Sequence, residues 1–160
     1  MKKIVLFLTF CSVLIAFSGC KKDEPAPKNQ ITLDGTSYDI STTGIILTDQ
    51  GEMTSGSIVL GSTSSSKTIQ VQLEFMFKTA SGISGTYELG QNLTRYLLAT
   101  SAYYVTTIGK GTVKEPFTNP TAATLTITDK GSNNYEITFK LKPATGSEIE
   151  GYYAGDIVPI

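Results

Sequence analysis

None of the 160 residues is histidine. The usual general base, the commonest metal ligand and the side chain that switches near neutral pH are therefore missing. Nucleophilic catalysis needs a nucleophile beside a base. Cys20 has no imidazole to activate it, and no G-x-S-x-G elbow presents a serine. Gly109-Lys110-Gly111 is not a phosphate loop, because Tyr104 stands where the first glycine belongs and Gly111 where Ser or Thr belongs. It reads as a turn at a strand end. Paired carboxylates about 5–9 Å apart could hydrolyse a glycoside. Glu74, Glu88, Glu136, Glu148 and Glu150 are available, but each falls on the polar parity of an alternating segment, where a solvated face is the ordinary reading. Asp129, Ser132, Asn133 and Asn134 crowd one loop with oxygen ligands, yet lack calcium-loop spacing and have the composition of a hairpin turn. We therefore expect no catalytic residues, no metal and no cofactor. The tyrosines are the set with most to offer: Tyr96, Tyr103, Tyr104, Tyr152 and Tyr153. Adjacent residues on a strand point to opposite faces, so each Tyr pair sends one ring outward. An outward ring with a hydroxyl can stack on a sugar or peptide, or simply cover the rim of the core.

Thirteen basic against fourteen acidic side chains give a net charge of −1. That balance carries no footprint for nucleic acid. The length suits one domain, and such a chain buries roughly two-thirds of its unfolded surface.

The first 20 residues, MKKIVLFLTFCSVLIAFSGC, are organised differently from the rest. Lys2 and Lys3 precede an apolar run from Ile4 to Phe17. As a helix, that run would span about 21 Å, short of the roughly 30 Å hydrocarbon core. It has no polar face of the kind a globular helix shows. Residues 1–19 thus read as a secretory signal peptide. Phe17-Ser18-Gly19-Cys20 resembles the lipobox of bacterial lipoproteins, although Phe replaces the commoner Leu three places before the Cys. The resemblance implies that the Cys20 thiol carries diacylglycerol, that a dedicated peptidase cuts before it, and that the new amine is acylated. Cys11 would leave with the signal, so the mature chain could form no internal disulfide. Each buried CH₂ contributes about 0.8 kcal/mol, so two or three acyl chains would hold the protein firmly on a membrane.

Residues 20–30 follow as the lipidated Cys and a tether. KKDEPAPKNQ is half charged and holds two prolines. It cannot bury enough apolar surface to offset ordering. Lys21-Lys22-Asp23-Glu24, immediately after the Cys, resembles the surface-export signal of lipoproteins in the Bacteroidetes.

From 31 to 160 we expect a single β domain, because the hydrophobic period is two. Ile69, Val71, Leu73, Phe75 and Phe77 alternate with Gln70, Gln72, Glu74 and Met76. Tyr135, Ile137, Phe139 and Leu141 alternate with Glu136, Thr138, Lys140 and Lys142. Ile83, Tyr87 and Leu89 share one parity, as do Leu125 and Ile127. These are half-buried antiparallel strands, and the 23 threonines suit a pleated surface. Asp34-Gly35 marks a hairpin. Asp129–Asn134 and Pro143–Ser147 divide the last part into a three-strand meander. Residues 61–67 and 114–120 read as loops, and 93–104 is ambiguous between helix and strand. About eight or nine strands in an all-β, antiparallel sandwich or closed barrel are expected. Gln72, Glu74 and Lys140 should be exposed, and Phe75 and Phe139 buried.

Together, the lipobox, the charged tether, the Leu33-Asp34-Gly35 hairpin and the meander ending Gly151-Tyr152-Tyr153-Ala154-Gly155 look like small, uncharacterised β-rich lipoproteins of the Bacteroidetes. The resemblance implies an outer-membrane protein held by acylated Cys20, facing the cell surface or the periplasm. It assigns no catalytic or binding residue. A non-enzymatic binding or interaction module with a glycan or peptide ligand is the leading functional expectation. A structural subunit of an envelope assembly comes second, and a carboxylate-based glycoside hydrolase third.

Overall fold

The structure, a computed structural model, describes residues 27–90, 94–107 and 113–160, without the side chains of 113–117. The expected signal peptide, the lipidated Cys20, the Lys21–Glu24 signal and Lys110 lie outside the described residues. The described residues form two antiparallel sheets packed face to face. Sheet I has the order β2 (Thr36–Asp39), β1 (Gln30–Leu33), β12 (Ile149–Asp156), β11 (Asn134–Pro143), β10 (Pro120–Gly131) and β6 (Gly85–Glu88). Sheet II has the order β3 (Thr42–Asp49), β4 (Met53–Thr63), β5 (Lys67–Lys78), β8 (Ala102–Thr107) and β9 (Val113–Phe117), with β7 (Arg95–Leu97) on the far half of β5. The architecture is an all-β sandwich, and of the two expected forms the closed barrel is excluded.

Strand polarity follows from side-chain alternation. Ile69, Val71, Leu73, Phe75 and Phe77 enter the core from β5, and Tyr135, Ile137, Phe139 and Leu141 from β11. Phe75 and Phe139 are 0% and 2% exposed. Each lies over a glycine on the neighbouring strand, Phe75 on Gly56 and Phe139 on Gly151. A β-carbon at either glycine would come within 2.5 Å of the ring, so glycine makes room for the phenylalanine.

Turn chemistry fixes register. Asp34 and Gly35, at φ 53° and 71°, link Leu33 to its partner Thr36 in the left-handed two-residue turn that matches strand twist. Ser132 and Asn133, at φ 56° and 63°, do the same between β10 and β11. The C-terminal meander is therefore present as read, its second turn falling within 143–147.

Several expectations change. The described residues hold twelve strands where about eight or nine were expected. The expected loop at 61–67 is mostly strand, because the serine-rich stretch tightens into a turn at Ser64, whose hydroxyl both accepts from Lys67 N–H and donates to Lys67 C=O. Of the expected loop at 114–120, residues 114–117 belong to β9 and Pro120 opens β10. Pro116 is tolerated because β9 pairs only with β8 and is an edge. The described part of the ambiguous segment resolves as β7, a tight turn closed by Ser101 N–H donating to Leu98 C=O at 3.1 Å, and β8. Gln72 and Glu74 are half-buried rather than exposed: β5 is flanked on both sides, the Gln72 amide donates to Glu74 Oε1 at 2.8 Å, and Thr100 donates to Glu74 Oε2. Lys140 is exposed as expected.

The break between β7 and β8 interrupts the β5 ladder at Glu74. Ser101 is wholly buried there. Its hydroxyl accepts from Glu74 N–H at 2.9 Å and donates to Glu74 C=O at 3.2 Å. The Glu74 C=O also accepts Leu98 N–H at 2.8 Å, so the serine hydroxyl replaces a missing strand neighbour at the Glu74 N–H. The sheets are further tied by rings. Tyr87 of β6 packs edge-on against Phe75 of β5, centroids 5.0 Å apart, and its hydroxyl donates to Ile83 C=O at 2.5 Å. Arg95 of β7 donates to Ser84 C=O and lies 5.4 Å from the centre of the Tyr87 ring. Tyr103 of β8 reaches across the sandwich to Ser147 C=O at 2.6 Å.

Candidate functional site

Strand parity decides where each expected tyrosine points. Tyr103 pairs with Val71 and is buried, 1% exposed. Tyr104 therefore lies on the outer face of sheet II, between Gln70 and Pro116. Tyr153 pairs with Ile137, packs against the core margin and donates to Asp156 C=O at 2.6 Å. Tyr152 pairs with Thr138 and sits on the outer face of sheet I. Tyr96 is on the outer face of sheet II, with its hydroxyl 3.0 Å from Met76 Sδ. The expected rule of one ring outward per pair holds. The five tyrosines do not form one site, however: the outward rings are split between opposite faces of the sandwich, and Tyr103 and Tyr153 serve packing.

The outer face of sheet I is the more developed surface. Antiparallel pairing aligns outward residues into rows across the strands. One row reads Asp39, Gln30, Tyr152, Thr138, Thr126, Thr86. The next reads Ser37, Thr32, Glu150, Lys140, Thr124, Glu88. Between them lies a shallow hollow of about 440 Å³, with Gln30, Thr32, Thr138 and Tyr152 in its lining. Threonine recurs because its branched carbon suits the strand while its hydroxyl faces solvent.

Charges at the centre of this face pair with one another, while Lys28, Asp39 and Glu88 toward its margins make no ion pair among the described residues. Lys140 Nζ lies 2.7 Å from Glu148 Oε1 and 3.8 Å from Glu150 Oε2. A hydrogen bond to Glu148 and the charge of that carboxylate raise the Lys140 pKa. Lys130 Nζ lies 3.0 Å from Glu136 Oε2, and this hydrogen bond and charge hold the Glu136 carboxyl below its usual range. That shift is the reverse of what a general acid in glycoside hydrolysis needs. Tyr152 OH donates to Glu136 Oε1 at 3.3 Å. Burial first, then the Glu136 charge, raises the Tyr152 pKa, so the phenol stays a neutral donor at physiological pH.

The oxygen-rich loop at 129–134 is consumed by its own turn. Asp129 Oδ1 accepts from Gly131 N–H at 2.8 Å, and Asn134 Nδ2 donates to Asp156 Oδ1 at 2.8 Å. Among the described residues, no three Asp, Glu or Cys side chains gather as a metal site would require.

Two other surfaces stand out. A hollow of about 430 Å³ at the sheet corner is lined by Leu89, Tyr96, Leu97 and Leu98 among others. At the opposite corner the C-terminal residues cross onto edge strand β3. Ile45 N–H donates to Val158 C=O and Ile160 N–H to Ile45 C=O, each at 3.0 Å. Ile46, Leu47, Val158 and Ile160 are exposed around this strap. Exposed Ile46 could have been found in the sequence, since Ile45-Ile46-Leu47 breaks the alternation and one member must face water, whereas Leu47 shares the parity of buried Ile45 and could not. The Thr rows could not, because they depend on register between distant strands. No family model matches this chain, and no curated protein or solved structure matches it at a significant level.

Proposed function

We propose that this protein is a lipid-anchored cell-envelope module of the outer membrane that binds its ligand without chemical turnover, on the outer face of sheet I. The observation that carries the reading is the pair of cross-strand rows around Tyr152: a rigid sheet presents a half-exposed aromatic ring among hydroxyl and amide groups over a broad hollow. Sites built on strands hold such groups in fixed positions, which favours recognition. The signal-like segment, Cys20 and the charged residues after it support anchoring and display on the cell surface.

The face can be tested without knowing its ligand. In the mature chain every native cysteine is acylated or removed, so Thr138→Cys adds a unique thiol to the middle of the row, and Thr48→Cys adds one on the β3 edge. Maleimide labelling of intact cells is compared with labelling of the purified protein. The reading expects Thr138→Cys to be slowed on cells relative to the purified chain, and Thr48→Cys to react alike in both. Equal rates for Thr138→Cys in the two settings would refute an occupied face.

A further inference from the structure

We propose that the ligand on the outer face of sheet I is a neutral, extended polysaccharide lying across the strands, with one sugar ring stacked on Tyr152. The inference rests on the reading of that face as a binding surface, and adds the chemical class and its direction.

Charge is the first argument. Two lysines near Tyr152 are held by carboxylates, Lys140 by Glu148 and Glu150, and Lys130 by Glu136, while Lys28, at the margin of the hollow, makes no ion pair among the described residues. An anionic chain would meet Glu150, Glu136, Glu88 and Asp39, with Lys28 alone of the lining lysines outside an ion pair. A strongly cationic ligand would have to break those ion pairs at the centre of the face, and finds carboxylates outside an ion pair only at the ends of the rows, Asp39 and Glu88. A neutral ligand meets neither obstacle.

Hydrogen-bonding pattern is the second. Gln30, Thr138, Thr126 and Thr86 line the Tyr152 row. A hydroxyl both donates and accepts, and an amide supplies one group of each kind. Such a row matches a polymer whose own groups are hydroxyls. Neighbouring pairs already behave this way, since Thr86 and Thr126 hydroxyls lie 3.2 Å apart and those of Thr32 and Ser37 lie 3.3 Å apart. Strands repeat at about 4.8 Å, comparable to the advance per sugar of an extended pyranose chain. A row six strands wide therefore presents one polar side chain per sugar. This spacing sets the chain across the strands rather than along them.

Recognition geometry is the third. Extended peptides are bound at open sheet edges, in apolar grooves, in aromatic-lined channels or by arginine clusters. The middle of sheet I is none of these: its strands are paired on both sides, it offers one aromatic ring, and the single arginine, Arg95, is on β7 of the other sheet. The face of one tyrosine suits the apolar face of a sugar ring.

The test is affinity electrophoresis of the full chain, purified in mild detergent, through native gels containing mannan, xylan, mixed-linkage β-glucan, dextran or polygalacturonate. Retardation by at least one of the four neutral polymers is expected, with none by polygalacturonate. Tyr152→Ala should weaken that retardation at least about tenfold, as loss of a central aromatic anchor does. Thr138→Arg, which places bulk and charge in the row, should abolish it. Tyr104→Ala, on the opposite face, should leave it unchanged, and thermal melts establish that each variant is folded. Absence of retardation by all four neutral polymers overturns the proposal, as does retardation that survives both Tyr152→Ala and Thr138→Arg. Should the polymers fail while Thr138→Cys is still protected on cells, the binding face stands and the glycan assignment falls. If Thr138→Cys reacts freely as well, both fall.

Discussion

Ser101 shows how much one hydroxyl can carry in a sheet. It is wholly buried and hydrogen-bonds to both backbone groups of Glu74 where the ladder is interrupted. Ser101→Ala would leave a buried N–H without a partner, which costs about 1–3 kcal/mol. A urea titration should show that loss with an unchanged slope. Tyr87 gives a second test, through pH. Burial raises its pKa from 10.0 to about 12, with the nearby Arg95 charge opposing. The folded chain therefore keeps a proton that the unfolded chain releases. The contribution is complete below the unfolded value of about 10 and is lost as pH rises through the folded value of about 12. Stability should fall between about pH 10 and pH 12, and Tyr87→Phe should flatten part of that fall. Tyr103, Tyr135 and Tyr152, also raised with burial as the first cause, keep the rest. Denaturant midpoints at about pH 9 and about pH 11.5 would read both effects. Neither role could be read from residue type, since Ser101 and Tyr87 look like ordinary strand residues until their partners from other strands are known.

Strands were legible where both faces had a clear preference. β5 and β11 alternate over ten or more residues, and every apolar position on one parity is buried. A single pair of substitutions tests that register. Phe139→Ala removes a ring that is 2% exposed and should cost about 3–5 kcal/mol. Lys140→Ala, one residue on, removes only solvent-facing ion pairs and should leave the unfolding midpoint nearly unchanged. Equal losses in a denaturant titration would put the wrong face inward. Short strands were less legible. β7 has three residues and β9 holds a proline, so neither offers enough periods to register as alternation; pairing with a longer neighbour makes them strands. The same physics hid the half-burial of Gln72 and Glu74, because parity names the outer face and not what else leans on it. The candidate face was legible only in part. Tyr152 could be assigned outward from its adjacency to Tyr153, but its row needed the pairing of six strands.

At the scale of the molecule, the chain changes sheet four times between β1 and β12, and the sequence carries no pattern for that order. Topology therefore came from the structure alone, while the anchoring segment came from the sequence alone. We propose that acyl chains on Cys20 hold the protein to the outer membrane and that the charged tether routes it to the surface, where the Tyr152 face of sheet I would be open to a ligand. Replacing Lys22, Asp23 and Glu24 with Ala should leave lipidation intact and confine the domain to the inner leaflet. The most direct measurement combines metabolic labelling with a radioactive fatty acid and proteinase treatment of intact cells, for wild type and Cys20→Ser. The account predicts labelled wild-type protein that the proteinase digests from outside, and no label on Cys20→Ser. Label retained by Cys20→Ser, or labelled wild type that stays protected on intact cells, would contradict it.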